Sequence, residues 1–225
     1  FSLKPGESLG IVGPSASGKS TLARLLIGLD RPSSGTVQLD GRKIDEWPSD
    51  HLGAYVGYLP QDVELFGGSI RDNISRHDRN WTIGRVLDAA RLANVDTMVK
   101  FMPKGYQTVV GNGGTLLSGG QMQRIGLARA LYGDIKLVIL DEPNANLDAH
   151  GEQSLAGAIE ELKRRGITVV VILHRPNILK VLDYVMVLVD GSIQQIGPRD
   201  DMLDVLGGPG VSKQPDNRAI NVVSN

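Results

Sequence analysis

The 225-residue chain contains no cysteine. Disulfides and thiolate metal sites are thereby excluded, and the composition suits a reducing compartment. Aromatic residues make up only 4% of the chain, too few for the stacking platforms that hold single-stranded nucleic acid. Neither sign of charge dominates. Against 25 Asp+Glu stand 24 Lys+Arg, a formal net charge of −1, so there is no overall electrostatic case for a nucleic-acid partner. Long hydrophobic runs are missing too: the apolar stretches at 168–173 and 185–189 are strand-length, far short of the roughly 20 residues of a membrane span. Neither a signal-peptide pattern nor an initiator Met opens the chain, which starts Phe1-Ser2-Leu3; a fragment of a longer protein is expected.

What the chain has in excess is glycine, 28 residues of 225, well above the usual share of roughly 7%. There is no Gly-X-Y period, which excludes collagen. The accompanying 41% of hydrophobic residues excludes low-complexity disorder. Glycine at this density marks places where the backbone turns tightly or approaches something closely. The length suits one large domain or two small ones, with enough chain to bury a core.

Short apolar runs bounded by Gly, Asp and Pro alternate with helical patterns, which predicts an α/β fold. Strands are expected at 8–12, 55–59, 136–140, 167–173, 184–189 and 192–196, and Asp40-Gly41 predicts a hairpin between 36–39 and 42–44. Helices are expected at 19–27, within 69–102, from the glycine-rich 111–120 to about Tyr132, and at 152–165 closed by Gly166. Thr82 reads as an N-cap, with Val86, Ala89, Ala90 and Ala93 on one apolar face. Residues 207–225 read as a disordered tail or linker.

Gly13-Pro14-Ser15-Ala16-Ser17-Gly18-Lys19-Ser20 fits GxxxxGK[ST] directly after a strand and at the opening of a helix, the context of a phosphate-binding P-loop. Glycines let backbone N–H groups curl around phosphate oxygens, and the helix N-terminus adds positive dipole. Lys19 would reach the β- and γ-phosphates, and the Ser20 hydroxyl would ligate Mg²⁺. The 136–140 strand runs into Asp141-Glu142. Taken alone, these are acidic turn residues. Behind a P-loop, Asp141 suits a Mg²⁺-bound water and Glu142 suits a general base on the attacking water. Leu117-Ser118-Gly119-Gly120-Gln121 is either a flexible turn before a helix or a second anion cradle.

These segments together resemble the ABC ATPase family, from Phe1 to Leu206. In order come the P-loop, Gln61 in Leu59-Pro60-Gln61-Asp62, the Leu117–Gln121 segment, Asp141-Glu142, Asn146-Leu147-Asp148 and Leu173-His174-Arg175. The resemblance implies a RecA-like P-loop core with a mixed sheet, a small antiparallel β subdomain, and an ABC-specific helical subdomain at about 62–134. It implies ATP and Mg²⁺ as ligands: Gly13 through Ser20 and Thr21 on the nucleotide, and Ser20, Gln61 and Asp141 toward the metal. Catalysis falls to Glu142, His174 and Gln61. Gln61, otherwise a surface residue after Pro60, becomes the residue that senses Mg²⁺ and the γ-phosphate. His174, otherwise a lone structural histidine, becomes the switch that contacts that phosphate. Ser118, Gly119, Gly120 and Gln121 are implied to bind the ATP of a partner subunit, which makes a head-to-tail homodimer. Asp148 is implied to cross the dimer interface; by its own type and place it reads as the N-cap of the next helix, and the two roles are compatible.

Subtype signals follow. The 61–74 segment resembles exporters, as does Thr108-Val109-Val110-Gly111-Asn112-Gly113-Gly114, where the family usually carries Glu in place of Asn112. Asp141-Glu142-Pro143-Asn144-Ala145-Asn146-Leu147-Asp148 and His174-Arg175-Pro176 look like type I protein-secretion ATPases. The resemblance thus implies a transmembrane domain of the same polypeptide, a membrane fusion protein, an outer-membrane channel, and the cytoplasmic face of a bacterial inner membrane. The adenine-stacking aromatic of the family is expected upstream of Phe1. Lipid, peptide or drug export is the nearer alternative. A soluble ATPase acting on nucleic acid or ribosomes is remoter, since the chain has no heptads and one copy of each motif.

Overall fold

The structure is a computed structural model and describes residues 1–111, 117–145, 147–173 and 176–207. Strand β1 (Ser8–Val12) runs through the P-loop into α1 (Lys19–Leu26). The hairpin of β2 (Gln38–Leu39) and β3 (Arg42–Lys43) follows, then α2 (Ser49–Tyr55) and β4 (Val56–Leu59). Next come β5 (Gly68–Ser69), α3 (Ile70–Ile74), α4 (Ile83–Leu92), α5 (Asp96–Lys100), β6 (Val109–Val110) and α6 (Gly119–Ala130). The chain continues with β7 (Leu137–Asp141), α7 (Ala149–Arg164), β8 (Thr168–Ile172), β9 (Tyr184–Val189), β10 (Ser192–Pro198) and α8 (Arg199–Gly207).

Six strands form one sheet in the order β10-β9-β1-β8-β7-β4. Five are parallel, and β10 closes one edge antiparallel to β9. Parallel strands covered on both faces read as unbroken apolar runs, because alternate side chains enter two different cores. Here Val138, Leu140, Val169 and Val171 face a core with Ile74, Val86, Ile125 and Ile159, while Ile139, Val170 and Ile172 face Leu9, Ile11, Ala23 and Met186. Full burial of each such side chain contributes about 1.5–3 kcal/mol.

Local chemistry sets the turns. Asp40 and Gly41 both have positive φ (52° and 76°), as do Asp190 and Gly191 (48° and 74°). That is the pattern of the type I′ turns that Asp-Gly favours in hairpins. Thr82 does cap α4, accepting from the Arg85 N–H, and its expected apolar face is buried. Gly57 in β4 is required by packing, since a Cβ there would lie 2.1 Å from the Ala130 carbonyl oxygen. Arg76 ties the same region together from the loop after α3. Its guanidinium donates to the carbonyls of Arg129 (2.8 Å), Ala130 (2.8 Å) and Gly53 (2.6 Å), capping α6 and bracing α2.

Three features depart from the sequence reading. The hairpin strands are shorter than 36–39 and 42–44. Helices α2 and α8 form without a helical apolar period to announce them, and α8 runs to Gly207, the first residue of the segment read as a tail. Val109 pairs with Ser69 in a two-stranded sheet that joins the start of the 69–102 region to its far end. Residues 208–225 lie outside the described residues.

Candidate functional site

Register explains why distant motifs meet. β4 and β7 run parallel with Leu59 beside Leu140, so Gln61 and Glu142 each stand two residues beyond that pair, at the C-terminal end of the sheet. β1 runs parallel to β8 with Ile11 beside Ile172, which brings the P-loop out at that same end. Ligands of open α/β sheets gather at such an end.

The P-loop is built by close approach and left-handed backbone. A Cβ on Gly13 would stand 2.0 Å from the Leu188 carbonyl oxygen, so only glycine lets the loop pass β9 there. Ala16 (φ 63°) and Gly18 (φ 95°) curl the loop back into α1. The Gly191 N–H donates to the Ser17 carbonyl at 3.0 Å and fixes the loop against the β9–β10 turn. α1 has no side-chain cap at its N-terminus and no acidic residue in its first turn. Its leading N–H groups and positive dipole end therefore remain available to an anion. Lys19 is buried, and its ammonium donates to the carbonyls of Gly13 (2.9 Å) and Pro14 (2.6 Å).

A polar cavity of about 290 Å³ lies over this loop, lined by Ser15, Ala16, Gly18, Lys19, Ser20, Thr21, Gln61 and Glu142. Residues drawn from three separate sequence motifs thus share one cavity. Asp141 sits at the end of β7, 1% exposed, beside Ile172. Burial and the nearby Asp141 carboxylate raise the Tyr58 hydroxyl above its ordinary pKa. The oxygen donors of Ser20, Gln61 and Asp141 are hard ligands that fit Mg²⁺, an ion usually held by one or two carboxylates plus phosphates and water. Among the described residues no group of three or more His, Cys, Asp or Glu is placed to hold a metal.

Glu142 adopts φ 51°, a left-handed conformation that is uncommon for glutamate and clusters at functional sites. Its N–H donates to the Ile172 carbonyl at 3.1 Å. Gln123 reaches from α6 and donates to the carbonyls of Glu142 (3.4 Å) and Pro143 (3.2 Å). Sequence reasoning passed over Gln123. The available signal was a polar residue on the buried side of an otherwise apolar helix face.

The other expected residues stand apart from this cavity or outside the description. Ser118 and Gln121 form a capping box at the start of α6: the Ser118 hydroxyl accepts from the Gln121 N–H (3.3 Å), and the Gln121 carboxamide accepts from the Ser118 N–H (2.9 Å). With Gly119 and Gly120, they do not line the cavity. Asp148 is the N-cap of α7, accepting from the Gly151 N–H at 2.8 Å. His174, Arg175, Asn146, Asn112, Gly113 and Gly114 lie outside the described residues. An open concavity of about 630 Å³ lies by the first residues of β1 and β9, lined by Glu7, Lys163, Asp183 and Tyr184 among others. Lys163 and Asp183 pair with each other there at 2.6 Å. Despite its smaller volume, the P-loop cavity is where the reactive groups converge.

A family model for ABC transporters matches residues 1–145. The chain is 49% identical over 203 residues to the type I secretion system ATP-binding protein PrsD of Rhizobium meliloti (strain 1021), covering 90% of this chain and 35% of that protein. It is 37% identical over 203 residues to the ATP-dependent lipid A-core flippase of Paraburkholderia xenovorans (strain LB400), covering 90% of this chain and 34% of the flippase. In fold it resembles the structure of a bacterial Atm1-family ABC exporter with ATP bound, at TM-score 0.82 and 33% identity over 89% of this chain and 35% of that one. The chain therefore spans about a third of the length of these three relatives.

Proposed function

The chain belongs to the ABC transporter family, whose ATP-binding domains hydrolyse ATP, and from that premise we propose that it binds Mg-ATP and hydrolyses it to drive export through a membrane domain. The observation that carries this reading is the single cavity gathering Lys19, Ser20, Gln61 and Glu142. ATP phosphates lie in the P-loop, held by the first N–H groups of α1 and by Lys19. Glu142 polarises the attacking water and takes its proton. Ser20, Gln61 and Asp141 would hold Mg²⁺, which when bound would neutralise charge on the phosphates. Catalysis rests on positioning and electrostatics rather than covalent chemistry.

Two chains sandwich two ATPs head-to-tail, with Ser118, Gly119, Gly120 and Gln121 of each reaching the partner's nucleotide. Asp148 lies at their interface, and the γ-phosphate is the role that the resemblance assigns to His174. Support comes from the first turn of α6, whose glycines stand clear of the chain's own cavity. The helices between β4 and β7 form the subdomain, about 62–134, that meets the membrane protein. Among the described residues no helix is long and apolar enough to cross a membrane. That the chain spans only about a third of these relatives supports a transmembrane domain in another part of the same polypeptide. The cytoplasmic face of a bacterial inner membrane is the location this implies.

Protein secretion is the favoured cargo class, with a membrane fusion protein and an outer-membrane channel as further partners. The 49% identity to a type I secretion protein, against 37% to a lipid flippase, supports that choice. The ATPase reading is tested by phosphate release from the purified chain, which should require Mg²⁺ and stop with EDTA; no release under either condition contradicts it. Disrupting the gene should remove specific proteins from the culture medium and leave membrane lipids unchanged. The reverse result favours lipid export.

A further inference from the structure

Glutamate has no intrinsic preference for the left-handed backbone that Glu142 adopts at φ 51°. Such a conformation persists only where surrounding bonds over-determine it. One tether is the strand itself, through the Glu142 N–H on Ile172. A second is local, the Ala145 N–H donating back to the Glu142 carbonyl at 3.2 Å. The third comes from a different element. Gln123, 3% exposed, spends its carboxamide N–H groups on the carbonyls of Glu142 and Pro143.

Gln123 stands two residues after Gln121 on α6, whose opening turn carries Ser118, Gly119 and Gly120. One rigid helical turn therefore presents the second anion cradle at its tip and grips the peptide of the general base from its flank. We propose that Gln123 is a positioning residue that holds Glu142 in its left-handed conformation and ties that base to the signature turn of α6. This rests on the reading of the site as an ATPase. In the head-to-tail dimer, the tip of α6 serves the partner's ATP while Gln123 sets the base for the chain's own ATP. Engagement of one nucleotide is thereby mechanically linked to hydrolysis of the other.

The test uses the whole chain with Mg-ATP. Gln123→Met keeps nearly the same volume and removes both donors. It should lower kcat about tenfold or more, while the ATP Kd measured by calorimetry stays within about twofold, because no group touching nucleotide has changed. Gln123→Glu keeps the side-chain length, replaces the donor by a carboxylate, and should show the same kcat loss, which covers a failure of the Met variant to fold. In a Glu142→Gln background, adding Gln123→Met should leave the residual single-turnover rate unchanged, since residues acting as a unit are not additive. A kcat within twofold of the unsubstituted chain, or an equal further loss in the Glu142→Gln background, overturns the proposal. An unsubstituted chain that neither binds nor hydrolyses ATP contradicts the functional reading instead.

Discussion

Lys19 braces the P-loop in this structure and is proposed to hold phosphate as well, and removing it should expose both roles. Its ammonium donates to the carbonyls of Gly13 (2.9 Å) and Pro14 (2.6 Å), lacing the P-loop across its own mouth. Hydrogen bonds from charged donors contribute about 1.5–3 kcal/mol each. Ordering the long side chain costs up to about 2 kcal/mol, and Pro14 is exposed, so water competes for that bond. A net loss of about 2 kcal/mol is expected for Lys19→Met, which keeps the stem and removes the donors. In a domain of this size that is about 4–8 °C in thermal midpoint. ATP affinity should fall in the same variant by about 10- to 100-fold, the equivalent of one charge-assisted phosphate contact. The assay is a thermal melt without nucleotide alongside calorimetric titration with Mg-ATP. A lysine that served only phosphate would leave the nucleotide-free midpoint unchanged or raise it, by relieving repulsion with the positive end of α1. An unchanged or raised midpoint refutes the brace, and unchanged affinity refutes the P-loop assignment.

Arg76 makes a second, purely structural prediction. Burial, with Arg129 nearby, pulls its guanidinium down to about 10, still charged at neutral pH. Arg76→Met strips the carbonyls of Gly53, Arg129 and Ala130 of their donor and should cost about 3 kcal/mol in urea denaturation. Asp72 supplies a pH dependence. The Ser69 hydroxyl and Arg71 hold its carboxyl at about 2, below an ordinary value of 3.8. Its contribution is complete above 3.8 and is lost as pH falls toward 2. Asp72→Asn should therefore flatten the acid limb of a stability–pH curve in that window, by about 1 kcal/mol after allowance for solvent screening.

Contiguous chemistry was readable from the amino-acid order, whereas chemistry assembled by packing was not. The P-loop declares itself because eight consecutive residues must turn, approach and donate together. β7 and β8 declare themselves because a sheet covered on both faces leaves polar residues only at strand ends, Asp141 in β7 and Thr168 in β8. Thr82 and Asp148 were legible as caps from side-chain type and place, and both do cap helices. The Gln123 brace was not legible, because it joins α6 to the peptide after β7 and depends on how two elements pack. The left-handed Glu142 was hidden for the same reason, since the residue types of Asp141-Glu142-Pro143 do not announce it. Helix α2 is too short for a 3.6-residue period to show, and β5 with β6 exists only through a long-range pairing. Composition carried part of the answer. The glycine excess marks close backbone approaches, of Gly13 to Leu188 at the site and of Gly57 to Ala130 beneath it.

The central claim is that Glu142, at the end of β7, activates water against ATP held by the P-loop. Glu142→Gln keeps the size of the side chain and removes its basicity. Steady-state phosphate release should fall by at least about a hundredfold, while the variant still binds Mg-ATP with the affinity of the unsubstituted chain and forms an ATP-dependent dimer in size-exclusion chromatography. Hydrolysis by Glu142→Gln at the unsubstituted rate would contradict the account.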